Sequence, residues 1–355
     1  LENLDTDLRP PREAILATKA AAEDDGANSY LPFLGQHGLR RAVVEHVARL
    51  SGRAYQAERE CLITAGGLNG CLVTLTALLD PGDEVIVTDP TYVGMLNRVR
   101  LAGGVPRQVP FEWDGREWRL DLEALRSAVG PRTRLLFLMS PSMPSGAVLD
   151  RLEWEAVADI CRASGTLLLY NAAMERILYD GREYIHPASL PDMRDRTITV
   201  GSVSKECRMI GWRVGWVVGP EDLLRDVGLV SISDVVVPVG IAQEAARAAL
   251  TAGPEDLARA VAAWEARRDA MVRELADLPI RRPGGGWSLL LDAGALGFSG
   301  PEASRLLLER GRVAATAMVN WGRRHGEQYV RFVFSNEPVE RLEGLRERVR
   351  ISLGV

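Results

Sequence analysis

An α/β fold is predicted, with a large, mostly parallel sheet and a smaller α+β domain, and three features of the sequence predict it. Short apolar runs alternate with helix-period segments from about Glu60 to Gly219, the pattern of a parallel sheet covered by helices on both faces. Past Pro238 the texture changes to long Ala/Arg/Glu-rich stretches followed by isolated strand-like runs. A chain of 355 residues, 46% hydrophobic and 26% charged, can build either one large domain or two modest ones, each with its own core.

In chain order, Leu62-Ile63-Thr64, Glu84 to Thr88, Leu135 to Met139, Thr166 to Tyr170, Thr197 to Gly201 and Val214 to Gly219 read as buried strands, with helices between them. Residues 41–240 are expected to form the large domain. Ile241 to Thr251 and Glu255 to Leu278 read as helices, and Trp287 to Leu291 and Tyr329 to Phe334 as strands. Residues 241–355, joined by 1–40, are expected to form the small domain. Sites in doubly covered sheets lie at the carboxyl ends of the strands, so chemistry is sought just after each run.

Bulk properties narrow the function. A formal charge of −5 and a pI near 5.6 offer no basic field for a nucleic acid backbone. No apolar run reaches the roughly 18 residues of a membrane span. Cys61, Cys71, Cys161 and Cys207 lack ligand-like spacing and fit buried thiols of a reduced, cytoplasmic compartment. Leu1 to Pro11 has neither the basic region nor the apolar core of a signal peptide. His37, His46, His186 and His325 show no metal-binding spacing. Among many arginines there are only two lysines, Lys19 and Lys205, so lysine chemistry has two candidates.

Lys205 ends the run Gly201-Ser202-Val203-Ser204-Lys205 and precedes Gly211-Trp212-Arg213-Val214-Gly215. A lysine just after a buried strand is partly desolvated and can become a nucleophile for Schiff-base formation. Ser202 and Arg213 are placed to bind a phosphate. Upstream, Thr64-Ala65-Gly66-Gly67-Leu68-Asn69-Gly70 joins a strand to a helix, a turn whose N–H groups can meet an anion; close helix–strand packing gives the same pattern. Tyr92 follows Pro90, and a core tyrosine fits that position as well. Arg331, alone within Tyr329 to Phe334, is either paired structurally or available to a carboxylate.

Together these segments resemble the class I/II aminotransferase family, fold type I of the pyridoxal-phosphate enzymes, from about Asn28 to about Arg350. The resemblance implies pyridoxal 5′-phosphate as cofactor and an amino acid as substrate. Lys205 would form the Schiff base and shuttle the α-proton. Gly67, Leu68, Ser202 and Arg213 would hold the phosphate, Tyr92 would stack on the ring, and Arg331 would bind the substrate carboxylate. Tyr30, with Gly35 and Leu39-Arg40, is similar to a segment whose tyrosine reaches the phosphate in the neighbouring subunit, which implies a homodimer with shared active sites.

Three ring-contacting positions depart from the family. Ser140-Pro141-Ser142-Met143-Pro144-Ser145-Gly146 carries Met143 where an asparagine is usual, and Asn171-Ala172-Ala173-Met174 carries Asn171 for aspartate and Met174 for tyrosine. A carboxylate keeps the ring nitrogen protonated and electron-withdrawing. Asn171 offers only a neutral hydrogen bond, about half as strong. Amino transfer therefore stands beside a diverted reaction: β- or γ-elimination as a lyase, decarboxylation, or oxidative deamination, as in natural-product biosynthesis. His186 or Glu175 is a conceivable source of the missing charge. A cofactor-binding sensor or inactive homologue is a further alternative, against which Lys205 and Arg331 argue. Ala315 to Gly322 departs from the family's P-G-x-x-F-G and hints at an unusual substrate pocket.

Overall fold

The computed structural model describes residues 1–355. Its strands are β1 (Cys61–Thr64), β2 (Glu84–Asp89), β3 (Val105–Trp113), β4 (Trp118–Leu120), β5 (Thr133–Met139), β6 (Leu167–Asn171), β7 (Thr197–Ser202), β8 (Gly215–Val218), β9 (Ile280–Arg281), β10 (Ser288–Asp292), β11 (Thr316–Ala317) and β12 (Tyr329–Val333). The first eight form one sheet in the order β1-β8-β7-β6-β5-β2-β3-β4, and the last four a second in the order β11-β12-β10-β9. Five adjacent strands, β3, β2, β5, β6 and β7, run parallel. β8 lies antiparallel between β7 and β1, and β4 folds back on β3.

The helices are α1 (Arg12–Ala22), α2 (His37–Ser51), α3 (Gly67–Leu78), α4 (Val93–Leu101), α5 (Leu122–Ala128), α6 (Arg151–Ser164), α7 (Glu221–Val235), α8 (Gly240–Leu250), α9 (Pro254–Glu274), α10 (Gly300–Gly311), α11 (Val339–Leu342) and α12 (Leu345–Leu353). Their ends are written in the sequence. α6 opens on a capping box in which Asp150 accepts from the Glu153 N–H and the Glu153 side chain accepts from the Asp150 N–H, and it stops at Gly165 with φ 72°. Such a cap contributes about 1 kcal/mol. α9 opens with Pro254, Glu255 and Asp256, a residue that needs no N–H followed by charges that suit the positive helix end.

Every residue of β2, β6 (save Leu167), β7 and β8 is buried, as a sheet covered on both faces requires. One hydrophobic core runs continuously from this sheet into β10 and β12. A second packs α1, α2 and α8 over β1 and β8. The four cysteines are free and buried, and no helix is long and apolar enough to cross a membrane. The predicted α/β fold stands. The strand pair β3–β4 was not predicted: β3 is half exposed at its start, with the pattern eieiBiBii, so no apolar run marks it, and Pro106 and Pro110 offset the strand propensity of Val105, Val109, Phe111 and Trp113.

Candidate active site

A cavity of about 540 Å³ opens at the carboxyl ends of the parallel strands. The sequence-predicted residues Gly67, Leu68, Tyr92, Met143, Asn171, Met174, Ser202, Lys205, Arg213 and Arg331 all line it. They reach it from different elements: the start of α3, the turn after β2, the loop after β5, the end of β6, the end of β7 and the turn beyond it, the turn before β8, and β12.

One end of the cavity is an anion cradle. Gly66 caps α3 with φ 90° and no side-chain hydrogen bond, which leaves the first N–H groups of the helix, those of Gly67 and Leu68, to face the cavity. A Cβ on Gly67 would sit 3.4 Å from the Ser202 Cβ, and one on Gly66 would sit 2.5 Å from Arg213 Nη2. Gly215 lets β8 come as close: its Cβ would meet the Gly67 nitrogen at 2.5 Å. Arg213 takes a left-handed conformation, φ 55°, which costs roughly 1–3 kcal/mol in a non-glycine residue. That strain points the guanidinium back to the cradle, where Nη1 donates to the Ile210 carbonyl at 2.9 Å.

Lys205 lies just past this cradle. Its Nζ donates to the Leu4 carbonyl at 3.0 Å and stands 4.7 Å from the centre of the Trp287 ring. Burial lowers its pKa to about 8; the nearby Asp5 opposes this, and the positive charges of Arg213 and Arg331 add smaller pushes in the same direction as burial. The amine is therefore partly neutral near physiological pH, as a nucleophile must be.

Between cradle and mouth lie Tyr92, Met143, Asn171 and Met174. A Cβ on Gly94 would strike the Tyr92 ring at 2.3 Å, so this glycine lets the ring fold over the first turn of α4. Asn171 is 5% exposed. Its Oδ1 accepts from the Ala173 N–H at 3.1 Å, and its Nδ2 has only the Met95 sulfur, 4.0 Å away. What Asn171 has to spare is a donor. The sole carboxylate side chain lining the cavity belongs to Glu2.

Arg331 closes the far end. Nη2 donates to the Glu2 carbonyl at 2.7 Å and to Thr316 Oγ1 at 3.0 Å, while Nε is buried without a partner. The guanidinium lies 5.0 Å from the centre of the Trp321 ring. Burial pulls its pKa down to about 10. A buried cation with a free donor is poised for an anion.

Two expectations need correction or qualification. Glu175 and His186 do not supply charge to this cavity, since neither lines it. Glu175 accepts from the Tyr184 hydroxyl and lies 3.8 Å from His46; His186 accepts from the Ala188 N–H at 3.1 Å, and burial lowers its pKa to about 4. Tyr30 is outside the cavity of its own chain and 82% exposed. Sequence reasoning missed Ser204, Ile210 and the segment Glu2-Asn3-Leu4, while Thr316 falls in the flagged stretch Ala315 to Gly322. Trp321 falls in the stretch whose departure from the family pattern was its only signal.

This layout, a strand-end lysine beside an anion cradle, defines a pyridoxal-phosphate enzyme. The model of the family described as aminotransferase class I and II matches residues 2–349, and the chain belongs to that family. It is 36% identical to an arginine–pyruvate transaminase of Pseudomonas aeruginosa over 82% of this chain and 74% of that one. It is 33% identical to a probable N-succinyldiaminopimelate aminotransferase of Mycobacterium tuberculosis over 87% and 78%. Among solved structures, an aromatic aminotransferase from Pyrococcus horikoshii superposes with a TM-score of 0.94 at 29% identity, covering 99% of this chain and 95% of that one.

The cofactor is pyridoxal 5′-phosphate, and the residues present fit it. Only a glycine at 66 leaves room for the Arg213 guanidinium beside the open N–H groups of α3, which matches a phosphate dianion.

Proposed function

We propose that this aminotransferase-like enzyme acts at the α-carbon of an amino acid through Lys205, with Gly67, Leu68, Ser202 and Arg213 holding the cofactor phosphate. Tyr92, Met143, Asn171 and Met174 enclose the ring, and Arg331 takes the substrate carboxylate on its free Nε. The observation that carries this reading is the single cavity joining a lysine of lowered pKa, an anion cradle and a buried arginine with a spare donor. Once bound, the cofactor supplies an aldehyde that captures amines and a conjugated ring that withdraws electrons from the α-carbon. Lys205 holds and moves the proton there: its neutral amine accepts it and its ammonium returns it.

Asn171 supports a second reading, a diverted reaction. Because Oδ1 is engaged by Ala173, the amide presents Nδ2–H and no negative charge; the one carboxylate residue lining the cavity, Glu2, lies at its far end, where its carbonyl accepts from Arg331. Electron withdrawal is weakened, which suits chemistry in which electrons leave with a β- or γ-substituent better than reversible amino transfer. Decarboxylation and oxidative deamination are the other candidates, and specialised, natural-product metabolism is the setting. The buried free thiols support a cytoplasmic location.

The same proposal divides the chain into a cofactor-binding part, 41–240, and a part made of 1–40 and 241–355. It also pairs two copies. Tyr30, Phe33, Leu229, Val236 and Val239 are exposed apolar side chains, more than an isolated surface needs, and Tyr30 has nothing to do within its own chain.

The test is product analysis with the cofactor, a panel of amino acids, and pyruvate or 2-oxoglutarate as acceptor. Acceptor-dependent formation of a new amino acid supports transfer. Ammonia, carbon dioxide or a released substituent without an acceptor supports the diverted reaction. Asn171→Asp should then raise the share of transfer several-fold; unchanged partition would remove Asn171 from the explanation.

A further inference from the structure

Asp89 ends β2 and is 3% exposed, yet its carboxylate faces no arginine or lysine. It accepts from three successive backbone N–H groups of the loop between β11 and β12: Oδ2 from Arg323 and Arg324 at 2.8 Å each, and Oδ1 from His325 at 3.2 Å. Consecutive N–H groups converging on an anion form a nest. The loop is shaped around the carboxylate, since a Cβ on Gly322 would stand 1.9 Å from Asp89 Oδ1. Two residues on, the Thr91 N–H donates to the Trp321 carbonyl at 2.8 Å, and His325 Nε2 meets the Phe111 carbonyl at 2.9 Å.

The residue so fixed is Trp321. Its indole stands edge-on to Tyr92, with ring centres 5.5 Å apart at 65°, and lies 5.0 Å from the Arg331 guanidinium. Arg331 has spent Nη2 on Glu2 and Thr316, so the indole face is what sets the plane of its remaining donors. Leu4, Ile210 and Met143 complete an apolar lining, and no cation there is left over for an acidic substrate side chain.

We propose that Asp89 is a positioning residue for substrate binding: by holding the loop 321–325 it seats Trp321 as a brace for Arg331 and as the wall that receives an apolar amino-acid side chain. This rests on the assignment of Arg331 to the substrate carboxylate.

The probe is 3-phenylpropionate, an apolar carboxylate without an amine, titrated calorimetrically into the cofactor-loaded protein. Wild type binds it. Asp89→Asn and Trp321→Ala each weaken binding about ten-fold, and the double variant is no weaker than the worse single one, as residues acting through one contact must be. Trp321→Phe recovers most of the loss, and cofactor affinity is unchanged throughout. Should Asp89→Asn not fold, Gly322→Ala, which pushes the loop off the carboxylate, gives the same loss, equally non-additive with Trp321→Ala. Independent effects multiplying to about a hundred-fold, an Asp89→Asn that binds like wild type, or a wild type that ignores the probe would each overturn the proposal. Arg331→Ala separates the two layers: it abolishes binding if the carboxylate assignment holds, and unchanged binding would sink that assignment itself.

Discussion

Lys205 shows how far one residue's surroundings decide its chemistry. Its pKa of about 8, against the usual value near 10.5, means that between those values the unfolded chain carries a proton the folded one lacks. Folding stability from this group therefore rises with pH across that window, and the full burden, on the order of 3 kcal/mol, is felt below pH 8. The same shift governs reactivity. The rate at which added pyridoxal 5′-phosphate develops its protein-bound absorbance should climb through pH 8 and level off above it; a rate that climbs only towards pH 10 or beyond would contradict the lowered pKa. Lys205 was legible because only two lysines exist and its neighbours are Ser202 and Arg213. Its partner Leu4 was not, because a contact to a carbonyl 201 residues away leaves no mark in local sequence. Asn171 was legible as a departure, but which end of its amide is free became clear only once Ala173 was seen to use the other.

At the scale of elements, the site depends on close approach at strand–helix junctions. The turn from β1 into α3 brings Gly66 against Arg213 while Gly215 of β8 presses on the same turn. Gly66→Ala places a methyl group 2.5 Å from a guanidinium nitrogen at a residue with φ 90°. It should lower stability by roughly 1–3 kcal/mol and weaken cofactor binding at least ten-fold; equilibrium denaturation and a fluorescence titration with the cofactor measure the two, and retention of both would contradict the cradle. Buried strands β2, β5, β6 and β7 were readable since burial on both faces demands continuous apolar runs. β3 escaped because it has no continuous apolar run: its alternation is broken by Arg107 on the apolar face, and Pro106 and Pro110 weaken the strand signal. The loop 321–325 showed in the sequence only as a departure from the family pattern at its start, since its shape is set by Asp89, which is distant in sequence.

For the whole molecule, the N-terminal segment ties the second sheet to the site. Leu1 accepts from the Val333 N–H at 2.8 Å, Thr6 accepts from Trp264 at 3.0 Å, Asp7 pairs with Arg267 at 2.7 Å, and between them Glu2 and Leu4 reach Arg331 and Lys205. The other large-scale feature is a groove of about 1040 Å³ where Phe33 and Leu229 lie exposed among charged side chains such as Arg59, Glu221 and Arg225. Light scattering after gel filtration should give twice the 38.9 kDa chain mass. Phe33→Asp should shift the protein towards the single-chain mass and weaken cofactor binding with it; a wild-type monomer with full activity would dispose of the shared-site dimer.

The central claim is that Lys205 is the residue to which the cofactor attaches, and its rarity makes the decisive measurement simple. The loaded protein is reduced with borohydride, digested, and mapped by mass spectrometry. The account predicts a pyridoxyl group on the peptide containing Lys205 and none on that containing Lys19. Label on Lys19, or no label on either, would contradict it.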